Sequence, residues 1–113
     1  MTTTLNVARQ FSRFPGGRFK RISENSGEEF RDDYLIPALR SDGGKVVVEL
    51  DGVVGYGSSF LEEVFGGVVR AMSWLNRDEV NNRLVLRSHQ QSWLQEANQY
   101  IDQELVRRRG ARN

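Results

Sequence analysis

Lys45-Val46-Val47-Val48-Glu49-Leu50-Asp51-Gly52 decides the fold. Its three consecutive valines break the in-out alternation of a half-exposed strand and fit a strand covered on both faces, because β-branched side chains suit a crowded pleated surface. The expectation is a strand at the centre of a sheet. Downstream, Val53-Val54 and the glycine-spaced Gly55-Tyr56-Gly57 lead into a helix from about Ser59. Phe60, Leu61, Val64, Phe65, Val68, Val69 and Met72 then share one broad apolar face, which must pack on that sheet.

Upstream of the valine run, Asn25-Ser26-Gly27 gives way to Glu28-Glu29-Phe30-Arg31, a small polar residue followed by acids that suit the positive end of a helix. Phe30, Tyr34, Leu35, Ala38 and Leu39 continue at helical spacing, Pro37 predicts a kink or shortening, and Ser41-Asp42-Gly43-Gly44 ends the helix. Earlier still, 5–11 and 18–22 around Phe14-Pro15-Gly16-Gly17 read as two short strands of a hairpin. Towards the C-terminus, 83–87 reads as a strand. From about Ser88, Trp93, Ala97, Tyr100, Ile101 and Leu105 carry the spacing of an amphipathic helix. Strands alternating with helices give an α/β fold with a four- or five-stranded mixed sheet flanked by helices. Residues 1–106 form one domain, and the basic stretch 107–113 is expected to fray as a tail.

Composition narrows the chemistry. The chain has 113 residues, 38% hydrophobic and 27% charged, which suits one packed core. With no cysteine, disulfides and thiolate chemistry are excluded, and the single histidine, His89, cannot build a multi-histidine metal site. No cofactor is expected. No apolar run approaches the roughly 20 residues that span a bilayer, and the first residues lack a signal-peptide pattern, so the expectation is a cytoplasmic protein away from membranes.

The stretch from Val46 to Gly66, with Ser58-Ser59-Phe60-Leu61-Glu62-Glu63-Val64-Phe65-Gly66 at its end, and the upstream Ser26-Gly27-Glu28-Glu29-Phe30-Arg31, resemble STAS-like domains of unknown function. That group is similar to the STAS domain of anti-sigma-factor antagonists and sulfate transporters, and the resemblance spans roughly residues 15 to 90. It implies a STAS-like α/β fold and a regulatory, protein-binding role. In anti-sigma-factor antagonists a strand leads through a loop to Asp-Ser-Ser-Gly at a helix start, where the first serine is phosphorylated by a GHKL-type ATPase/kinase partner. Ser58 matches that serine and Ser59 the next. The chain departs with Gly57 at the motif aspartate, Phe60 at the motif glycine, and Glu49 in the strand-end segment. These departures fall on the phosphorylation motif more than on the fold or the docking loop. The implied partner-binding residues are Tyr56, Gly57, Ser58, Ser59, Phe60 and Glu62.

Read by their own chemistry, the same residues have plainer roles beside the functional ones. Ser59-Phe60-Leu61-Glu62 has the spacing of a capping box, in which serine and glutamate each accept a hydrogen bond from a backbone N–H. Ser58 is less needed for capping and open to docking or modification. Glu62 and Glu63 would repel a phosphate there, whereas the helix dipole would attract it. Gly55 and Gly57 fit a tight turn better than a phosphate-binding loop, since no Gly-Lys-Ser/Thr follows them. Tyr56 has two readings, a plug for the core or an anchor for a partner. Gly66-Gly67 inside a helix calls for a compensating close approach, most simply by a neighbouring backbone.

Two other classes of function weigh less. Glu28, Glu29, Asp32, Asp33, Glu62 and Glu63 could supply acid–base or magnesium chemistry, yet each pair sits in a first helical turn where acids complement the dipole. Catalysis is not expected. The cluster Arg107-Arg108-Arg109 and Arg112, with Arg13, Arg18, Lys20 and Arg21, makes a nucleic-acid-associated accessory protein the alternative to a protein-binding module. Cations at a helix C-terminus account for the cluster without it, so nucleic acid is not the expected partner.

Overall fold

The valine run forms β2 (Lys45–Glu49), which lies between β1 (Thr2–Asn6) and β3 (Leu84–Arg87) and runs parallel to both. The computed structural model describes residues 1–41 and 43–111, with side chains to 108. Val46 stands beside Thr3 and Leu84, and Val48 beside Leu5. β2 is central, as its sequence requires.

Helices α1 (residues 27–41) and α2 (residues 58–71) make the crossovers, α3 (Arg77–Arg83) precedes β3, and α4 (Gln91–Ala111) closes the chain. Parallel crossovers are right-handed almost without exception, so an order that advances β1-β2-β3 keeps both crossover helices on one face. α1, α2 and α4 accordingly pack side by side over Val46, Val48, Leu5 and Leu84. Phe30, Leu35, Leu39, Phe60, Leu61, Phe65, Val68 and Ile101 fill the space between the layers. The opposite sheet face carries Thr2, Thr4, Asn6, Lys45, Glu49 and Arg87 around Val47. Val47 is 2% exposed although it stands apart from the main core. Its shelter is the cross-strand pair Thr4 and Val85, and β2 is covered by helices on one face instead of two.

Among the described residues the sheet has three strands, all parallel, where four or five in a mixed sheet were expected. The N-terminal hairpin does not form: the strand expected at 5–11 is displaced to β1, which keeps only Leu5 and Asn6 of it, and the one expected at 18–22 is absent. After β1 the chain enters a wide π turn, Val7–Phe11, capped by Asn6, whose side chain accepts from the Arg9 N–H at 3.0 Å. Phe11 packs edge-on against Phe30 and Tyr34, each at 5.3 Å between ring centroids, and fastens this turn to α1. Residues 18–22 cannot join a ladder because the Gly17 and Arg18 carbonyls accept from the Gly27 and Glu28 N–H groups at the start of α1. Ser26 caps the same helix through the Glu29 N–H at 3.1 Å.

α1 is not cut short at Pro37 but runs to Ser41. A wide turn over Arg31–Leu35 precedes the proline, with the Ile36 N–H reaching back five residues to the Arg31 carbonyl, and this looser ladder accommodates the ring. Asp42 lies outside the described residues.

The basic C-terminal stretch does not fray at residue 107, since α4 continues to Ala111. The Arg108 guanidinium donates to the Val69, Ser73 and Leu75 carbonyls, so it tethers α4 to the end of α2. Arg112 lies outside the described residues. No helix among the described residues is long and apolar enough to cross a membrane.

Candidate functional site

The loop from β2 to α2 leaves the carboxyl end of the sheet, where parallel α/β sheets bind their ligands. Gly52 turns it at φ +94°, and a Cβ there would lie 2.9 Å from that of Ala8, so the turn after β1 presses directly on it. The Val54 N–H donates to the Arg13 carbonyl at 2.9 Å, and Arg13 Nε to the Gly52 carbonyl at 3.4 Å. Two loops distant in sequence are thereby joined.

Tyr56 turns inward. Its hydroxyl donates to the Leu50 carbonyl at 2.7 Å, and its ring meets Trp93 edge-on at 4.8 Å and Phe60 at 5.5 Å. Burial, followed by the charges of Asp51 and Glu49, raises its phenol above the usual range. Of its two readings Tyr56 takes the plug. Phe60 is 1% exposed and cannot touch a partner, which corrects its place among the docking residues. Both hold the loop from beneath.

Gly57, Ser58 and Ser59 do face solvent. α2 starts at Ser58, with Gly57 at its N-cap position and no side-chain cap. Ser59 is therefore the second helical residue, and the capping box is not formed, because Glu62 turns to arginines instead. On α4, the Tyr100 hydroxyl donates to Glu96 at 2.8 Å.

Glu62 and Glu63 belong to an ion network that joins four segments. Arg18 reaches both, Arg31 pairs with Glu63 and, at 2.8 Å, with Asp32, and Arg70 pairs with Glu62 at 2.6 Å and Glu104 at 3.1 Å. Arg107 also holds Glu104. Hydrogen bonds from Arg70 keep the Glu62 carboxyl below its ordinary range against the cost of burial. Burial would raise Glu104, but Arg107 and Arg70 outweigh it and hold it low. The network also explains Gly66 and Gly67. A methyl at Gly66 would lie 2.4 Å from Glu62 Oε2, and one at Gly67 2.8 Å from Arg31 Nη1. Charged side chains, not a neighbouring backbone, make the close approach. The tight backbone contact is at Gly27, where a Cβ would come within 2.7 Å of the Phe60 carbonyl oxygen.

Sequence reasoning missed three residues. Asp51 closes the β2–β3 end: its Oδ1 accepts from Ser88 Oγ at 2.6 Å, and its Oδ2 accepts from the His89 N–H at 3.0 Å and lies 2.6 Å from His89 Nδ1. The Ser88 hydrogen bond, then those of His89, hold its carboxyl below the ordinary range. His89 itself is fully exposed. Phe14 and Val54, 62% and 68% exposed, stand on the two loops that Arg13 joins. The signal for Val54 was present, since it falls after the strand and before the helical face begins. Among the described residues no cluster of three or more histidines, aspartates and glutamates is arranged to hold a metal ion.

Sheet and rim together define a two-layer α/β domain whose exposed loops gather at the carboxyl end of a parallel sheet. The family described as STAS-like domain of unknown function matches residues 26–92, more than half of the chain. The chain belongs to that family. No curated protein and no solved structure gives a significant match.

Proposed function

We propose that this domain is a regulatory module that binds a protein, a GHKL-type ATPase/kinase or anti-sigma-like partner, through Gly57, Ser58 and Ser59 at the rim. One observation carries the reading: the loop is fixed from below by Tyr56 and Phe60 while its serines remain exposed. A surface built this way loses little entropy on docking. The module works by binding, not catalysis. Its nearest carboxylates, Glu62 and Glu63, are occupied by arginines, and Ser88 bonds Asp51 instead of the His89 ring. This reading sets the domain in the cytoplasm, where ATP-using partners work.

Ser58 is the proposed switch. Arg18, Arg31 and Arg70 neutralise the two glutamates that would repel a phosphate there. What remains is the positive end of α2, which favours an anion by about 0.3–1 kcal/mol.

The test is a pull-down of the tagged chain from its native cells, nuclease-treated, beside Ser58→Asp and Tyr56→Ala variants. The expected result is one ATPase-like protein that both variants lose, with a phosphopeptide at Ser58. Retention of nucleic acid alone, or of no loop-dependent protein, contradicts the reading.

A further inference from the structure

Next to the serines, the rim carries charge and apolar surface that the Ser58 switch does not use. Phe14 and Val54 are among the most exposed large apolar side chains of the chain, and the hydrogen bond from the Val54 N–H to the Arg13 carbonyl makes their loops neighbours. Arg9 and Arg13 are exposed on the same N-terminal segment. Acids are missing there: residues 1–23 contain no aspartate or glutamate, and neither do residues 52–61. Of the two carboxylates at the end of β2, Asp51 is turned to Ser88 and His89, and Glu49 stands beside Asn6 on the sheet face away from the helices. Of the other cations of this segment, Arg18 pairs with Glu62 and Glu63, Lys20 stands 3.8–3.9 Å from Asp33 and Asp32, and Arg21 lies over the Phe19 ring at 5.8 Å.

We propose that this part of the rim takes an acidic protein segment whose aromatic or long aliphatic side chain rests on Phe14 and Val54 while Arg9 and Arg13 face its carboxylates. Charge complementarity selects the occupant, because exposed arginines on loops that carry no acid within residues 1–23 and 52–61 repel basic segments and steer acidic ones. The apolar centre requires a side chain that gains from losing water. Nucleic acid fits less well, since two arginines offer few phosphate contacts and Phe14 and Val54 offer nothing to a phosphate. The inference deepens the docking reading above and rests on it for the class of ligand, a protein.

A phage-displayed random peptide library selected on the full-length chain tests it, with a labelled 20-nucleotide oligothymidylate as the competing probe. Selected peptides are expected to be acidic with one large apolar residue. Phe14→Ala or Arg13→Glu is expected to weaken them about tenfold or more, as losing a hot spot does. Both side chains are exposed, and matching circular dichroism melts will show that both variants fold. Selection of peptides with no acidic bias, no selected peptide, binding indifferent to both substitutions, or oligothymidylate binding that depends on them overturns the proposal. Ser58→Asp is measured alongside. Acidic peptides held through Phe14 and Arg13, with no ATPase-like partner in the pull-down, would uphold this surface and refute the Ser58 reading; the reverse pair of results would do the opposite.

Discussion

The helical layer and the loop rim handle polar groups in opposite ways. Where α1, α2 and α4 meet, every charge named in the network has a partner, and Glu63 and Glu104 are 7% and 6% exposed. At the rim, Phe14 and Val54 are exposed, and Gly57 brings no side chain to cap α2. The first region spends its charges internally and has little left to offer a partner. The second is held in place by its buried residues and keeps its outer ones available. Within six residues, Val54 and Phe60 show the division between surface and support.

Substitutions can break or sharpen that division. Phe60→Ala should cost about 3–5 kcal/mol in a urea titration, as emptying a buried aromatic site does. Glu63→Ala should cost about 3 kcal/mol, because it leaves Arg31 and Arg18 facing a largely buried site without their counter-charge. If that loss is under about 1 kcal/mol, the network is ornamental and the contrast fails. Gly27→Ala should cost about 1–3 kcal/mol through the clash with the Phe60 carbonyl.

Asp51→Asn should cost about 1 kcal/mol at pH 7 and progressively less in acid. The sign follows from the lowered carboxyl of the folded state: its contribution is present above the unfolded value, near 4, and is lost as pH falls through the folded value below it. Urea midpoints of both proteins at pH 7 and pH 3 check this, since the gap between them should narrow in acid. Val54→Ser should change stability by about 0.5 kcal/mol or less, the ordinary range for a surface position.

Much of the helical layer was legible in the sequence. The apolar face of α2 and the spacing of Trp93, Ala97 and Ile101 report local periodicity, the valines of β2 report a strand by their β-branching, and such local signals survive folding. The N-terminal hairpin was not legible, because short alternating runs at 5–11 and 18–22 suit a strand until the Gly17 and Arg18 carbonyls are claimed by α1. That claim is tertiary. The ion network was equally hidden, with Arg18 and Glu62 separated by 44 positions. At the rim, the helix start was legible only to within a residue, at about Ser59 where the helix begins at Ser58, whereas Phe60 was assigned twice, to the core by its helical spacing and to docking by its place in the motif. Spacing was the better guide, because burial follows the helix face and not the motif. Phe14 and Val54 could not be paired before the Arg13 carbonyl and Val54 N–H were seen to meet.

The most direct test of the division is to measure urea midpoint and retention of the captured partner on the same two variants, Val54→Ser and Glu63→Ala. The account predicts that Val54→Ser keeps the midpoint and loses partner, while Glu63→Ala lowers the midpoint and retains partner wherever it is still folded. A Val54→Ser protein that binds normally, or a folded Glu63→Ala protein that does not bind, would contradict it.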